Sequence, residues 1–309
     1  MDKIGRFAPS PSGRMHLGNV LSALLAWLSA THDGGRAILR IEDIDPDRCA
    51  DKARALQLIE DLHWLGMYAD QTADNVVWQS NRTAAYTAVF ERWQQAGLLY
   101  PCYCTRAALH AASAPHAGDG NSVYNGHCRR YLQGDTPPAG RTPAWRLTVP
   151  DKTVIFTDGV QGVYSEYLPA DCGDFSIRRA DGVFAYQLAV VLDDIAAGVT
   201  EVVRGRDLLS STPRQMYMYD LLGATPPQYY HIPLILGKDG SRLSKRDGAA
   251  DMGYWREKFA DPAPLLGMLA YNCGVIPAYQ PMTANRLQRV FDWSKIKRED
   301  IYLDFCDLI

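Results

Sequence analysis

The 309-residue sequence has no stretch long and apolar enough to cross a bilayer. Its opening residues, MDKIGRFAPSPSG, lack the apolar core of a signal peptide. Those absences lead to the expectation of a soluble, cytoplasmic protein with no membrane partner. A basic excess is missing too: 32 Lys and Arg stand against 35 Asp and Glu, a net charge of −3. A nucleic-acid partner would have to meet a local basic face, for which CRRYLQ and SKIKR are candidates. Solvated surface charge explains each of those segments at least as well. Internal repeats and low-complexity tracts are absent. Seven cysteines, an odd number without an export signal, argue against a disulfide framework. Cys49, Cys172, Cys273 and Cys306 stand alone and read as buried thiols.

What is present alternates. KIGRFA reads as a strand, PSPSGRMHLG as a loop, and NVLSALLAWLSATHD as a helix stopped by Gly34 and Gly35. RAILRIED follows as a buried strand. Asp45 can cap the next helix, with Pro46 in its first turn and Leu56, Ile59, Leu62 and Leu65 at helical spacing. NVVW is a further strand and RTAAYTAVFERWQQAG a further helix. This order predicts an α/β fold, a parallel sheet with helices on its faces. The alternation breaks near Tyr100. From there to about Tyr186 the chain is rich in Gly, Pro and Ser, with strand-like AWRLTV, TVIFTD and GVYSEY and a hairpin signal at Asp181-Gly182. This segment reads as an α+β insertion. Alternation resumes with helix YQLAVVLDDIAAG, strand TEVVRG, helix STPRQMYMYDLLG capped by Ser211 or Thr212, and strand HIPLIL. The last fifty or so residues read as mostly helical.

Two loops can carry chemistry. In PSPSGRMHLGN a strand ends and a helix starts near His16, so free N–H groups and the helix dipole make an anion site. There is no GxxxxGK[ST], which excludes a Walker loop. His16 can donate to phosphate oxygens, and Gly18 lets a nucleotide approach the backbone. Late in the chain, GSRLSKRDG follows a strand, and Lys245 can place a compact charge on a phosphate. Alone, the first loop is a turn with a capping histidine and the second a solvated charged loop. Together, in this order, they resemble the paired signature of class I aminoacyl-tRNA synthetases. His16-Leu17-Gly18-Asn19 is similar to the HIGH motif, and Arg242-Leu243-Ser244-Lys245-Arg246 to KMSKS. The resemblance implies a doubly wound, Rossmann-like sheet on which both loops clamp ATP. Asn19 stands where many members have a second histidine.

RFAPSPSG, RIEDID, YQLAVVLDD, VVRGRDLLSSTPRQ and HIPLIL further resemble the glutamyl branch, over almost the whole chain to about residue 256. The resemblance implies L-glutamate and ATP as substrates, Mg²⁺ accompanying the ATP. Glutamate-binding positions carry over to Arg6, Phe7, Ala8, Pro9, Ser10, Glu42, Tyr186 and Arg204. The chemistry fits: arginines for the carboxylates, Glu42 for the ammonium, Tyr186 as a hydroxyl donor. ATP binding falls to His16, Gly18, Asn19, Leu243, Ser244 and Lys245. His16 and Lys245 are expected to stabilise charge as the glutamate α-carboxylate attacks the α-phosphorus. Asp193 and Asp194 are not read as a catalytic pair. They can hold Arg204, cap a helix end or face solvent, and this reaction needs no carboxylate base.

A third constellation is Cys102-x-Cys104 followed by Cys128. Three thiols suggest a tetrahedral zinc short of one ligand, and Tyr124, His127, His116 and His110 are the candidates for the fourth. The short glutamyl-queuosine tRNA(Asp) synthetases resemble this stretch, with Cys-x-Cys, a variable loop and Tyr-x-x-x-Cys. That likeness implies Cys102, Cys104, Tyr124 and Cys128 around a single structural Zn²⁺. It also implies that glutamate, activated without tRNA, goes to queuosine in the anticodon arm of tRNA(Asp). The expected organisation is a catalytic domain over 1–99 and 186–256, a zinc-binding insertion over 100–185, and a helical C-terminal extension over 257–309. No full anticodon-binding domain is expected, and the assembly is expected to be a monomer.

Overall fold

The structure, a computed structural model, describes residues 3–49, 51–105, 123–240 and 251–303. In chain order the strands are β1 (Ile4–Phe7), β2 (Arg36–Ile41), β3 (Val77–Trp78), β4 (Leu99–Cys102), β5 (Ala144–Leu147) and β6 (Thr153–Asp158). They continue with β7 (Gly162–Tyr167), β8 (Phe175–Arg178), β9 (Glu201–Gly205), β10 (Gln228–Ile232), β11 (Ile235–Gly237) and β12 (Ile301–Leu303). The α-helices are α1 (Leu17–His32), α2 (Pro46–Cys49), α3 (Lys52–Trp64), α4 (Thr83–Gln95) and α5 (Tyr186–Ala196). After them come α6 (Thr212–Leu222), α7 (Met252–Lys258), α8 (Ala263–Cys273) and α9 (Ala284–Val290).

The central sheet has the order β10-β9-β1-β2-β3, and every pairing in it is parallel. From β1 the chain winds outward to β2 and β3. It later returns to the other side of β1 to lay down β9 and β10. The winding therefore reverses between β1 and β9, the place where doubly wound sheets bind ligands. Helix α1 is buried along nearly its whole length, from Leu17 to Ala30, because it lies on β1, β2 and β9 with α9 behind it. Gly5 permits that contact: a Cβ there would come 2.8 Å from the Cβ of Ala30. One core cluster surrounds α1 and takes in Leu265, Leu269, Leu287 and Phe291 from α8, α9 and the residue after it. A second joins α4, α5 and α6 to Leu99, Leu147, Phe175 and Ile177 of the inserted strands. No helix among the described residues is long and apolar enough to cross a membrane.

The insertion is antiparallel, with a β4-β5-β8 sheet and a β6-β7 hairpin. The Asp181-Gly182 hairpin forms as expected, with Arg178 bridging Phe184 and Gly182 at φ +90°. Several local expectations differ from what is seen. The helix expected after Asp45 is two: α2, and α3 capped by Asp51, whose Oδ1 accepts from the Ala53 N–H at 2.9 Å. Leu56 keeps its helical spacing but is 43 % exposed. NVVW contributes only Val77 and Trp78 to the sheet edge. HIPLIL divides at Pro233, which has no N–H for a sheet bond. Its first part ends β10, and its second, β11, leaves the sheet and pairs with β12. Strand β12 is thus an addition to the mainly helical C-terminal segment. The α6 cap residue is Ser211, though its hydroxyl makes no capping bond.

Candidate active site

Beyond the Gly5–Glu201 register contact the ends of β1 and β9 diverge and leave a cleft of about 540 Å³. Arg6, Phe7, Ala8, Pro9, Ser10, His16, Gly18, Asn19, Tyr186 and Arg204 all line it. The parallel sheet brings these together from four separate stretches of sequence. Glu42 lies just behind the lining, buried, its N–H bonded to Pro9 O at 3.0 Å. Leu243, Ser244 and Lys245 lie outside the described residues, as do His110 and His116. The chain on either side of residues 241–250 touches the cleft. Ile235 and Leu236 line it, and the Met252 N–H bonds Met15 O at 3.0 Å.

His16 is the N-cap of α1. Its Nδ1 accepts the Gly18 N–H at 3.1 Å, and the Asn19 Oδ1 accepts the His16 N–H at 3.1 Å. This reciprocal cap satisfies two donors at the helix start. It also fixes the imidazole with its remaining proton on Nε2, at the cleft edge. Partial desolvation lowers the pKa of His16, which favours this neutral donor form. Asn19 is occupied by the capping bond.

Behind the cleft sits a buried charge network. Arg40, 1 % exposed, donates through Nη1 to Asp194 Oδ1 at 2.5 Å and through Nη2 to Glu42 Oε1 at 3.3 Å. Arg6 donates through Nε to Asp194 Oδ2 at 3.4 Å. Asp193 lies 3.9 Å from Arg40 Nε but takes its hydrogen bonds elsewhere, accepting from Gln79 at 2.9 Å, Arg82 at 3.0 Å and Tyr86 at 2.7 Å. Neither aspartate bonds Arg204. Burial raises the pKa of Glu42, and Arg40 and Arg6 only partly offset it. Burial, with Glu42 nearby, also raises that of Tyr186, which stays a hydroxyl donor. Arg204 is held differently, with no carboxylate against it. Its Nε donates to His231 Nε2 at 3.0 Å and its Nη2 to Thr212 Oγ1 at 2.8 Å. Its Nη1 is buried and has no partner among the described residues. A buried guanidinium donor left over at a cleft wall suits a carboxylate that arrives from outside.

The thiols of Cys102, Cys104 and Cys128 lie within 4.8 Å of one another. The Tyr124 hydroxyl stands 3.6 Å from the Cys102 sulfur and 3.7 Å from that of Cys104, and the two sulfurs of Cys104 and Cys128 are 3.6 Å apart. Metal–sulfur bonds of about 2.3 Å in a tetrahedron imply edges of roughly 3.8 Å, so these spacings can hold a metal ion. His127 is exposed and outside the group. The surrounding apolar cluster is small, with Tyr100 and Tyr131 beside the four residues. Polar bonds from Asp174 reinforce it. Asp174 accepts from Tyr100, from the Val149 N–H and, through both oxygens, from Arg129. Gly173, at φ +62°, lets that loop close on Tyr124: a Cβ there would meet the Tyr124 carbonyl at 2.7 Å.

Residues 4–280 match the family of class I tRNA synthetases (E and Q), catalytic domain. The chain belongs to this family. It is 46 % identical over 307 residues to a glutamyl-Q tRNA(Asp) synthetase of Symbiobacterium thermophilum, covering 96 % of this chain and 94 % of that one. It is 46 % identical over 286 residues to the protein of that name from Nitratidesulfovibrio vulgaris, covering 90 % and 88 %. Among solved structures, a glutamate tRNA ligase from Elizabethkingia meningosepticum, in complex with its amino acid, superposes with a TM-score of 0.84 at 26 % identity. That match covers all of this chain and 68 % of the ligase. Arg40, Asp158 and His231, which sequence reading did not single out, are buried behind the cleft, tied to its arginines directly or through Asp194 and His231. A charge in the apolar run Ala37-Ile38-Leu39-Arg40-Ile41 was the available signal for the first.

Proposed function

We propose that this chain, a ligase-type enzyme of the class I family, activates L-glutamate with ATP without tRNA. The glutamyl group then goes to queuosine in the anticodon arm of tRNA(Asp). The observation that carries the amino-acid part is the charge layout of the cleft, with Arg6 and the unpaired Nη1 of Arg204 on its wall and Glu42 behind. A substrate with two carboxylates and one ammonium complements two guanidiniums and one carboxylate. The RNA part rests on the near-full-length likeness to glutamyl-Q tRNA(Asp) synthetases.

In this reading the glutamate α-carboxylate attacks the α-phosphorus, the bond to the β-phosphate oxygen breaks, and pyrophosphate leaves. His16 donates from Nε2 to a phosphate oxygen, and the dipole of α1, whose N-terminus His16 caps, adds positive potential there. Lys245 supplies a compact positive charge to the leaving phosphates. Mg²⁺, when bound with ATP, neutralises phosphate charge. Cys102, Cys104, Tyr124 and Cys128 would hold a structural Zn²⁺, which ties down an insertion with little core of its own.

Glu42 must be ionised to take the ammonium, and burial pushes its pKa up. Glutamate affinity should therefore weaken as pH falls through that raised value, above the usual carboxylate range. The KM for glutamate in pyrophosphate exchange, followed against pH, should show this loss. Glu42→Gln should raise KM at every pH and flatten the profile. An unchanged profile in that variant would remove Glu42 from the ammonium site.

The whole reading is tested by transfer of labelled glutamate to tRNA(Asp) with and without queuosine, beside tRNA(Glu). Label confined to queuosine-bearing tRNA(Asp) is expected. Label on tRNA(Glu) instead would make the chain a short synthetase that charges a 3′ end.

A further inference from the structure

Arg204 and His231 are direct neighbours across the β9–β10 pair, in register with one another. His231 is fully buried. Its Nε2 faces two donors, the Arg204 Nε–H at 3.0 Å and the Thr212 hydroxyl at 3.2 Å. Thr212 Oγ1 already accepts from Arg204 Nη2, so its own proton is free to point at the ring. Nε2 must therefore present its lone pair, and the ring proton must sit on Nδ1. There it meets Asp158 Oδ2 at 2.6 Å. Asp158 comes from outside the parallel sheet, at the end of β6. Its Oδ1 is fixed by the N–H groups of Val160 at 2.9 Å, Gln161 at 2.8 Å and His231 at 3.1 Å. Burial keeps the imidazole neutral even beside this carboxylate.

We propose that Asp158 and His231 are positioning residues for Arg204: they fix one imidazole tautomer, and through it the direction in which the guanidinium meets the substrate carboxylate. The role rests on the reading of Arg204 as a glutamate ligand. The arrangement has a clear logic. A carboxylate placed directly on Arg204 would orient it but would also neutralise it, as Asp194 partly does for Arg6. Interposing a neutral ring orients the guanidinium through an acceptor and leaves its charge for the incoming anion. The Asp158 charge is taken up by one ring N–H and backbone N–H groups. One end of the device belongs to the inserted hairpin, so the insertion contributes to amino-acid recognition as well as carrying the thiol cluster.

Asp158→Asn tests this directly. The Val160 and Gln161 N–H groups reach only Oδ1 and require an oxygen there, while the His231 N–H spans both oxygens at 3.1 Å, so the new amide nitrogen must face His231 Nδ1. That forces the proton onto Nε2, against the Arg204 and Thr212 donors. An amide in place of an orienting carboxylate selects the wrong tautomer in this way. The expected result is a rise of about 10–100-fold in KM for glutamate in pyrophosphate exchange, the range of one or two lost charge-assisted hydrogen bonds. The KM for ATP should stay as in the wild type and kcat should change far less than KM. His231→Gln, which can still offer an oxygen to Arg204, should retain more glutamate affinity than His231→Leu. ¹⁵N NMR of the histidine-labelled full chain reads the tautomer without substrate. His231 should carry its proton on Nδ1 in the wild type and on Nε2 in Asp158→Asn. A doubly protonated or Nε2-protonated wild-type ring would overturn the proposal. So would an unchanged glutamate KM in a variant whose tautomer has switched, or an equal loss of glutamate and ATP affinity. Absence of glutamate-dependent exchange in the wild type is a separate outcome. It would remove the glutamate reading, and the role of Arg204 with it, whatever the NMR shows.

Discussion

Asp194→Ala should destabilise the protein by about 3–5 kcal/mol, the range for leaving one member of a buried ion pair without its partner. That is a large part of the ~5–15 kcal/mol by which folded domains normally exceed their unfolded chains. The reason is Arg40, 1 % exposed, whose closest partner is Asp194 at 2.5 Å. Arg6 loses its Nε partner in the same step. Urea denaturation with an unchanged slope would read the loss, and a change within 1 kcal/mol would mean that Glu42 and Asp193 suffice to hold Arg40. The same carboxylate makes a pH prediction. Burial raises its pKa, but the charges of Arg40 and Arg6 overcome this and hold it below the ordinary value. Its contribution is therefore present above about pH 3.9 and lost as pH falls through its lowered folded value. A paired replacement, Arg40→Met with Asp194→Leu, should recover much of the stability, because an apolar pair of similar volume needs no desolvated charges. It should not recover glutamate binding, because Arg6 stays unanchored and Glu42 loses its Arg40 contact. Recovery of both would reduce the network to packing.

Loss of the metal should have the second large effect, confined to the insertion. Purified protein should contain a single zinc per chain. Cys128→Ser or a strong chelator should remove it and open the segments around residues 123–134 and 172–178 to hydrogen exchange. The parallel sheet should stay protected, since its core cluster around α1 draws nothing from the thiol group. Tyr124→Phe should weaken retention by more than the roughly 10–100-fold typical of losing a residue that only hydrogen-bonds a ligand. His127→Ala should leave retention unchanged. The reverse pattern would make histidine the fourth ligand. Zinc-free protein with normal protection would assign the stability of this region to Asp174 and its arginines.

The architecture was readable because it is periodic. Strand and helix alternate, and Gly, Pro and capping residues mark most of the breaks. The expectations that differ lie where one residue overrides a pattern. Pro233 divides HIPLIL, Asp51 starts a new helix, and Tyr302 and its neighbours pair with a strand too distant in sequence for any local signal. For the cleft, short motifs pointed to Arg6, Ser10, His16, Tyr186 and Arg204, and the fold does bring them to the lining of one cleft. What sequence did not show is what holds them. Arg40 looks like an isolated charge in a strand, and Asp158 and His231 like two more strand positions. Their meaning lies in pairings more than 70 residues apart in the cases of Asp158 with His231 and Arg40 with Asp194. Asp193 and Asp194 are adjacent and share only Arg40: their hydrogen bonds go to different partners, because successive helical positions face different ways.

Strand β12 bears on how the protein is made. Asp300 bonds Arg206 and accepts the Leu234 N–H at 2.9 Å, and the Ile301 N–H bonds Leu234 O at 2.8 Å. Leu234 and Leu236, on the wall of the cleft, are thus secured by residues synthesised some sixty positions later. The parallel sheet can assemble while the chain is still emerging from the ribosome. That wall of the cleft lacks these bonds until residues 300–303 are out, so a nascent chain holding every signature motif should still have an unfinished cleft.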